Sequence, residues 1–326
     1  MSTRPLRICS APVVIFIAHL SAALVAVAAD CATCHPSETK LHLQSAHASA
    51  LMAPGTSMFV QYLPEKPLGE AANGYLFEYH QTSDGLIAVV HRGHDRVTAP
   101  ILWIFGSGRQ GQTPVAYFKG HFIEHRVSLY AATGYGITIG QENGVSASAE
   151  SALGWRQTDA EARTCFDCHA TSVIPDLASL TPGVQCVRCH AGAEEHAKGR
   201  GTPVNPGKLD HLAQVQLCGE CHRLKPPSGN ENDIGNVRFQ PLRLMKSACF
   251  LKSNIACTTC HPAHRNVRDA PDSYNHQCLA CHANQAQHIA RKNSADCIRC
   301  HMPKTSPAPG LTFSDHFIRV VSGTKP

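Results

Sequence analysis

One five-residue pattern, repeated seven times, constrains this chain more than anything else in it. C-x-x-C-H occurs at Cys31, Cys34, His35; Cys165, Cys168, His169; Cys186, Cys189, His190; Cys218, Cys221, His222; Cys257, Cys260, His261; Cys278, Cys281, His282; and Cys297, Cys300, His301. We number these motifs 1 to 7 in chain order. Together they use 14 of the 16 cysteines in 326 residues. Two thiols one helical turn apart match the two vinyl groups on one edge of a porphyrin, and the next residue can turn its imidazole onto the iron. Zinc ribbons use C-x-x-C in pairs, which seven copies cannot fill evenly, and they require no histidine afterwards. Thioredoxin-like redox pairs occur singly on a βαβ unit, not in an array. The spacing therefore predicts seven covalently attached haem c groups. All 14 cysteines would be thioether anchors, and the seven motif histidines would be proximal iron ligands.

Each iron has a second axial position. The chain has 21 histidines and five methionines, so supply favours a second histidine, and low potentials follow from bis-histidine ligation. The candidates for the sixth position are His47, His196, His264, His276, His288 and His316, with His42 and His211 behind them. His264 lies three residues after His261, too close to cross to the far face of that haem, so it is expected to serve a neighbour. Cys249 stands outside the motifs and is expected to be a free buried thiol.

Arg4 and Arg7 precede an apolar run from Ala11 to Ala29, and Ala26-Val27-Ala28 gives a small-x-small cleavage pattern. This reads as an export signal, which puts the protein in the periplasm, or further out at the outer surface or beyond. Membrane contact is expected only if the signal stays attached. The formal net charge of +5 includes those two arginines and has no clustered basic run, so nothing points to nucleic acid. Aromatic residues are only 6% of the chain, thin for a core of this size; porphyrin faces would supply the missing flat apolar surface.

Motifs 2 to 7 crowd into residues 165–301, while a long stretch separates them from motif 1. That stretch carries β-branched and aromatic runs bounded by turn residues: Tyr75–Tyr79, Leu86–Val90, Ile101–Phe105, Val115–Phe118, Val127–Tyr130 and Ile137–Ile139. The expected fold is α+β: mostly short helices and loops around stacked c-type haems, with a β-rich haem-free insert. The expected division is 1–28 signal peptide, 29–56 first haem-binding helical segment, 57–145 β-rich insert, and 146–326 six-haem cytochrome c domain. Within the insert, His121-Phe-Ile-Glu124-His125 matches the H-x-x-E-H of inverted zincins. That motif needs a helix, and these flanks are strand-like, so a structural role is expected.

Several elements resemble the multihaem c-type cytochromes of the cytochrome c-552/c-554 kind, related to the cytochrome c nitrite reductases. The segment from Cys186 to His196 is similar to their C-x-x-C-H-G-P-G-x-x-H, with departures at Ala191, Gly192 and Ala193. Cys218 to Arg223 also fits. Cys257 to His264 resembles a C-x-x-C-H-x-x-H element. Cys297 to Pro303 with Asp315-His316 resembles their last haem and its distal ligand, and Ser45-Ala46-His47-Ala48 resembles the S-x-H-A after their first. Those nitrite reductases commonly attach the catalytic haem through C-x-x-C-K. All seven motifs here end in histidine, so a lysine-ligated catalytic haem is not indicated.

The leading functional expectation is an exported electron carrier. Its partners would be other redox proteins: a quinol-oxidising membrane donor, and a terminal reductase or another cytochrome. No catalytic residue is assigned. Two rivals stay open. One is a reductase or oxidase of a small nitrogen or sulfur compound, which needs one five-coordinate haem, with haem 1 or haem 2 the places for it. The other is a subunit of an extracellular cytochrome filament.

Overall fold

The computed structural model describes residues 31–70, 72–172, 180–226, 229–231, 233–266, 273–283 and 297–320. The expected signal peptide, Cys9 and His288 lie outside these residues. The chain divides its regular structure unevenly, with strands before residue 157 and mostly short helices after it, so the fold is α+β.

Ten strands form one antiparallel sheet: β1 Leu51–Met52, β2 Leu68–Gly69, β3 Leu76–Thr82, β4 Gly85–Arg92, β5 Asp95–Phe105, β6 Gly111–Phe118, β7 His121–His125, β8 Val127–Tyr130, β9 Gly134–Ile137 and β10 Gly154–Arg156. The main path runs β10-β7-β6-β5-β4-β3-β2. β1 pairs with the end of β5, and β8 pairs with β6 and β9. Most neighbours are sequential hairpins. The β6–β7 turn shows why: Lys119 and Gly120 both hold positive φ, 50° and 82°, the primed geometry whose twist matches the flanking strands. β6 pairs with β7 through Val115–Phe118 and with β8 through Gly111–Gln112, so the sheet curls where the chain turns at Arg126.

The central strand β5 serves both faces of the sheet. Ala99 and Ile101 alternate with exposed Pro100 and Leu102, and point into a core that includes Phe59, Phe77, Leu86, Val90, Ile104 and Leu153. A register shift then falls between Ile101 and Trp103. The shift breaks the two-residue period. Ile104 takes over the first core, while Trp103 joins Leu51, Val115, Ala162, Phe166, Ala170 and Leu180 in a second one. The helix Asp159–His169 docks there. Thr158 and Glu161 close a capping box at its start, and Ala162 and Phe166, one turn apart, form its buried stripe. Motif 2 is the last turn of this helix, so the sheet fixes the position of Cys165, Cys168 and His169.

The H-x-x-E-H segment is strand β7, not a helix. His125 is fully buried; its Nε2 meets the Tyr79 hydroxyl at 2.7 Å and its Nδ1 the Leu153 carbonyl at 2.7 Å. With both nitrogens occupied the ring is a core strut, and burial lowers its pKa to about 4. A second buried polar element lies nearby. Arg126 donates from Nε to Glu70 Oε2 at 2.8 Å, and its Nη2 also reaches the Gly144 carbonyl. Both members of this ion pair are about 5% exposed.

The helical half has far less apolar core. Its described cluster contains three buried residues, Val215, Leu244 and Phe250. Cys249 is half-buried rather than buried, and is free. No helix among the described residues is long and apolar enough to cross a membrane.

Replacing Glu70 with Ala strands a buried guanidinium, a change that costs about 3–5 kcal/mol. Denaturant unfolding followed by far-ultraviolet circular dichroism should show that loss. A loss below about 1 kcal/mol would mean the pair is not a strut of the sheet.

Candidate haem centres

The motifs share one local form. Residues 31–34 are helical, and motifs 3, 5 and 7 form the short helices Cys186–Cys189, Cys257–Cys260 and Cys297–His301. Motifs 2, 4 and 6 end longer helices, Asp159–His169, His211–His222 and Ser273–His282. Each cysteine pair is thus one helical turn apart.

Four motif histidines face a second histidine from a distant part of the chain. His35 faces His196, with ring centres 6.5 Å apart. His222 faces His47 at 6.1 Å. His190 faces His264 at 6.1 Å, with planes only 26° apart. His261 faces His316 at 6.0 Å. A metal–imidazole bond of about 2.0 Å on each side, with about 1.1 Å from nitrogen to ring centre, puts two axial rings about 6 Å apart. The rings are too far apart to be in van der Waals contact and at the spacing for an ion between them. Two imidazoles are too few donors for a bare ion. Among the described residues no cluster of three or more His, Cys, Asp or Glu side chains could hold one. A porphyrin supplies the other four nitrogens, so the donor sets fit haem.

The hydrogen bonds fit the same assignment. A metal-binding histidine characteristically spends its other ring nitrogen on a carbonyl or similar acceptor, which fixes the tautomer. Nδ1 contacts the Ala50 carbonyl in His169 (2.8 Å), the Val204 carbonyl in His190 (3.0 Å) and the Arg319 carbonyl in His301 (2.9 Å). In His222 it meets Gln240 Oε1 at 3.1 Å. On the opposing side, His316 Nδ1 meets the Ser314 carbonyl at 3.0 Å, His196 Nδ1 the Gly201 carbonyl at 3.3 Å, and the His47 ring the Ala263 carbonyl. Each arrangement with Nδ1 engaged leaves Nε2 as the donor atom. His261 differs: its Nδ1 is buried without a hydrogen-bond partner.

Burial favours the neutral form, the one that coordinates, in six of these rings. It lowers the pKa of His169, His222, His261 and His264, and takes His47 and His316 to about 4, with the facing imidazole adding to the effect in both.

His316 has the most elaborate support. Its neighbour Asp315 is buried and accepts two bonds from Arg243, at 2.8 and 2.7 Å, and one from Arg319 at 2.7 Å. Burial pushes the Asp315 carboxyl up, but Arg243, the Phe317 amide and Arg319 outweigh it and hold it at about 2. At the other end of the chain, Gly183 lets two segments meet. It has φ +72°, and a Cβ there would fall 2.0 Å from the Ala48 carbonyl oxygen. This close approach lets Val184 N donate to the His47 carbonyl at 2.9 Å, just before motif 3. Asn266 then clamps the same turn, accepting from Ala46 N and donating to the Gln44 carbonyl.

Other candidates have different surroundings. His42 also lies 6.3 Å from His264, with planes 89° apart, but its Nε2 meets the Val184 carbonyl at 2.9 Å, so that nitrogen is engaged within the protein. His211 stacks on Phe250 at 5.0 Å, with Nδ1 buried and unpartnered. His276 is exposed, on the helix that ends in motif 6. Around His169, Phe105 packs edge-on at 4.9 Å. The supporting acceptors Ala50, Val204, Gln240 and Arg319 carry no sequence signal, because most act through backbone carbonyls and all come from remote segments.

No protein-family model matches the sequence. Among solved structures the chain is similar to the outer cell wall cytochrome OcwA. The match covers 90% of this chain and 79% of that one, at 13% identity and a TM-score of 0.50, and at that identity the likeness is one of fold.

Proposed function

We propose that this chain is an exported multihaem cytochrome c that relays electrons between redox proteins, with haem attached at all seven C-x-x-C-H motifs. The observation that carries this reading is the set of four facing histidine pairs at 6.0 to 6.5 Å, each with one member from a motif. The similarity in fold to an outer cell wall cytochrome supports it, and supports export.

Cysteines 31 to 300 of the motifs would anchor the groups. His35, His169, His190, His222, His261, His282 and His301 would be proximal ligands. His196, His47, His264 and His316 would be the sixth ligands at motifs 1, 4, 3 and 5. His276 and His288 remain candidates for the others. Bound haem would supply the Fe(III)/Fe(II) couple, while ligation, burial and nearby charge set its potential.

Relay requires that the sites adjoin, and the thiols of different motifs do. Cys168 of motif 2 lies beside Cys221 of motif 4. Cys218 of motif 4 lies beside Cys257 of motif 5. Cys278 of motif 6 lies beside Cys297 of motif 7 and near Cys260 of motif 5. Cys189 of motif 3 is within reach of Cys218 and Cys221. His196, six residues after His190, faces His35 and so joins motif 1 to motif 3. On this reading the order would be 1-3-4-5-6-7, with motif 2 as a side arm from motif 4.

Intact mass and pyridine haemochrome assay of the exported protein should give seven haems per chain. Fewer than five would defeat the relay reading. Replacing His264 with Ala should convert one low-spin ferric signal to high-spin in electron paramagnetic resonance, and an unchanged spectrum would remove it from the ligand set. Asp315→Ala should destabilise the protein by about 2–3 kcal/mol, less than a fully buried pair because its arginines are partly exposed. It should also loosen His316, giving a partial high-spin signal that Asp315→Asn reduces. A thermal midpoint and spectrum matching the wild type would show that the clamp does not position His316.

A further inference from the structure

The segment 315–319 touches histidines of two different motifs. After motif 7 the hairpin of Lys304–Ala308 and Leu311–Ser314 turns the chain back, with Lys304 opposite Ser314. The pairing continues past the hairpin. Asp315 N donates to the Pro303 carbonyl at 3.1 Å, and Arg319 N to the His301 carbonyl at 3.3 Å, so 315–319 runs back along 301–303. Within the segment, His316 faces His261 of motif 5 at 6.0 Å. Three residues on, the Arg319 carbonyl accepts from Nδ1 of His301, the motif 7 histidine, at 2.9 Å.

Side chains tie the two ends of the segment together. Arg319 Nη1 donates to Asp315 Oδ2 and to the Phe317 carbonyl, both at 2.7 Å, and the guanidinium lies 4.7 Å from the Phe317 ring centre. Asp315 is buried and fixed from its other side: Arg243, on the helix Gln240–Leu244, binds both its oxygens, and Phe317 N donates to Oδ1 at 3.0 Å. Buried Ser247 fastens the turn between, donating to the His316 carbonyl at 3.1 Å and accepting from Ile318 N at 2.8 Å. The segment is thus a short rigid link, with an imidazole held at each end.

Resting on the cytochrome reading above, we infer that Arg319 is a positioning residue shared by two haems. Its carbonyl orients the His301 imidazole at motif 7, and its guanidinium, through Asp315, orients His316 as the sixth ligand at motif 5. A hydrogen bond to the far nitrogen of a coordinated imidazole fixes the ring and raises its basicity toward the metal. A charge-assisted bond to a buried carboxylate is among the stronger hydrogen bonds. Arg319 makes one of each, so its side chain anchors the backbone that grips His301. Motif 6 lies between these two motifs in the chain, yet their ligands share one support. A displacement at either ligand therefore reaches the other within the segment, without passing through motif 6. The Arg319 side chain is 32% exposed, and Arg243 keeps Asp315 paired without it, so replacing it opens no core cavity and strands no buried charge.

The test uses the full-length holoprotein after its haem content is measured. His316→Ala identifies the low-spin electron paramagnetic resonance signal of motif 5. The double variant Cys297→Ala, Cys300→Ala lacks the motif 7 haem and identifies its signal. Arg319→Gln keeps the backbone and removes the guanidinium. It should change the g-values of both signals and shift both midpoint potentials in a spectroelectrochemical titration, while the other haems stay at their wild-type values. Arg319→Lys, which keeps a cation within reach of Asp315, should restore part of the change at both. If an identifying variant does not fold, the number of haems moved by Arg319→Gln decides: two are expected. A change at one haem only, at none, or at all alike overturns the inference and leaves the relay intact. A lowered thermal midpoint with wild-type g-values and potentials marks a purely structural residue and also overturns it. A haem count below five instead defeats the relay reading itself.

Discussion

The facing of one imidazole by another at about 6 Å is the constraint on which the helical half depends. Each pair joins segments far apart in the chain: 35 with 196, 47 with 222, 190 with 264, 261 with 316. The described apolar cluster there has three buried residues, against sixteen in the main core of the sheet. Aliphatic burial of that size cannot offset the entropy of ordering more than a hundred residues. In the proposed holoprotein, metal–ligand bonds and porphyrin faces take the place of the missing core, which is also how a chain with 6% aromatic residues forms a stable fold.

The two halves accordingly use different physics. The sheet carries its own hydrophobic core, primed turns and a buried ion pair. Its second face receives the helix Asp159–His169, because the register shift in β5 turns Trp103 away from Ile101 and Ile104. That single irregularity makes the sheet a platform for motif 2. The remaining motifs lie on short helices whose hydrogen bonds go largely to backbone carbonyls of other segments.

The sequence was most legible where signals are local. The motif spacing and the alternating strands can be read from neighbours along the chain. β1 and β10 are two and three residues long, too short for a period to register. The H-x-x-E-H segment was ambiguous because a strand also puts His121 and His125 on one face; what decides its role is Tyr79 and the Leu153 carbonyl, neither of them visible from the motif. The partner of each motif histidine was the least legible feature. Proximity in sequence associates His196 with motif 3, whereas its ring faces His35; His264, too close to motif 5 to serve it, faces His190, but nothing in the sequence names which neighbour it would meet. Pairing of that kind is a property of the assembled fold.

Asn266 and Gly183 bear on how such a chain could be divided. Both act on the turn that carries His47, which faces His222 of motif 4, while His35 a few residues earlier faces His196. The short N-terminal segment before the sheet is therefore not a detachable unit. A gene fragment beginning at β1 would lack motif 1 and would also leave His222 of motif 4 without the ring it faces. The sheet sits inside this interdependence as a long excursion between His47 and the motif histidines that follow it. Shuffling or domain transplantation would have to move both ends of the chain together.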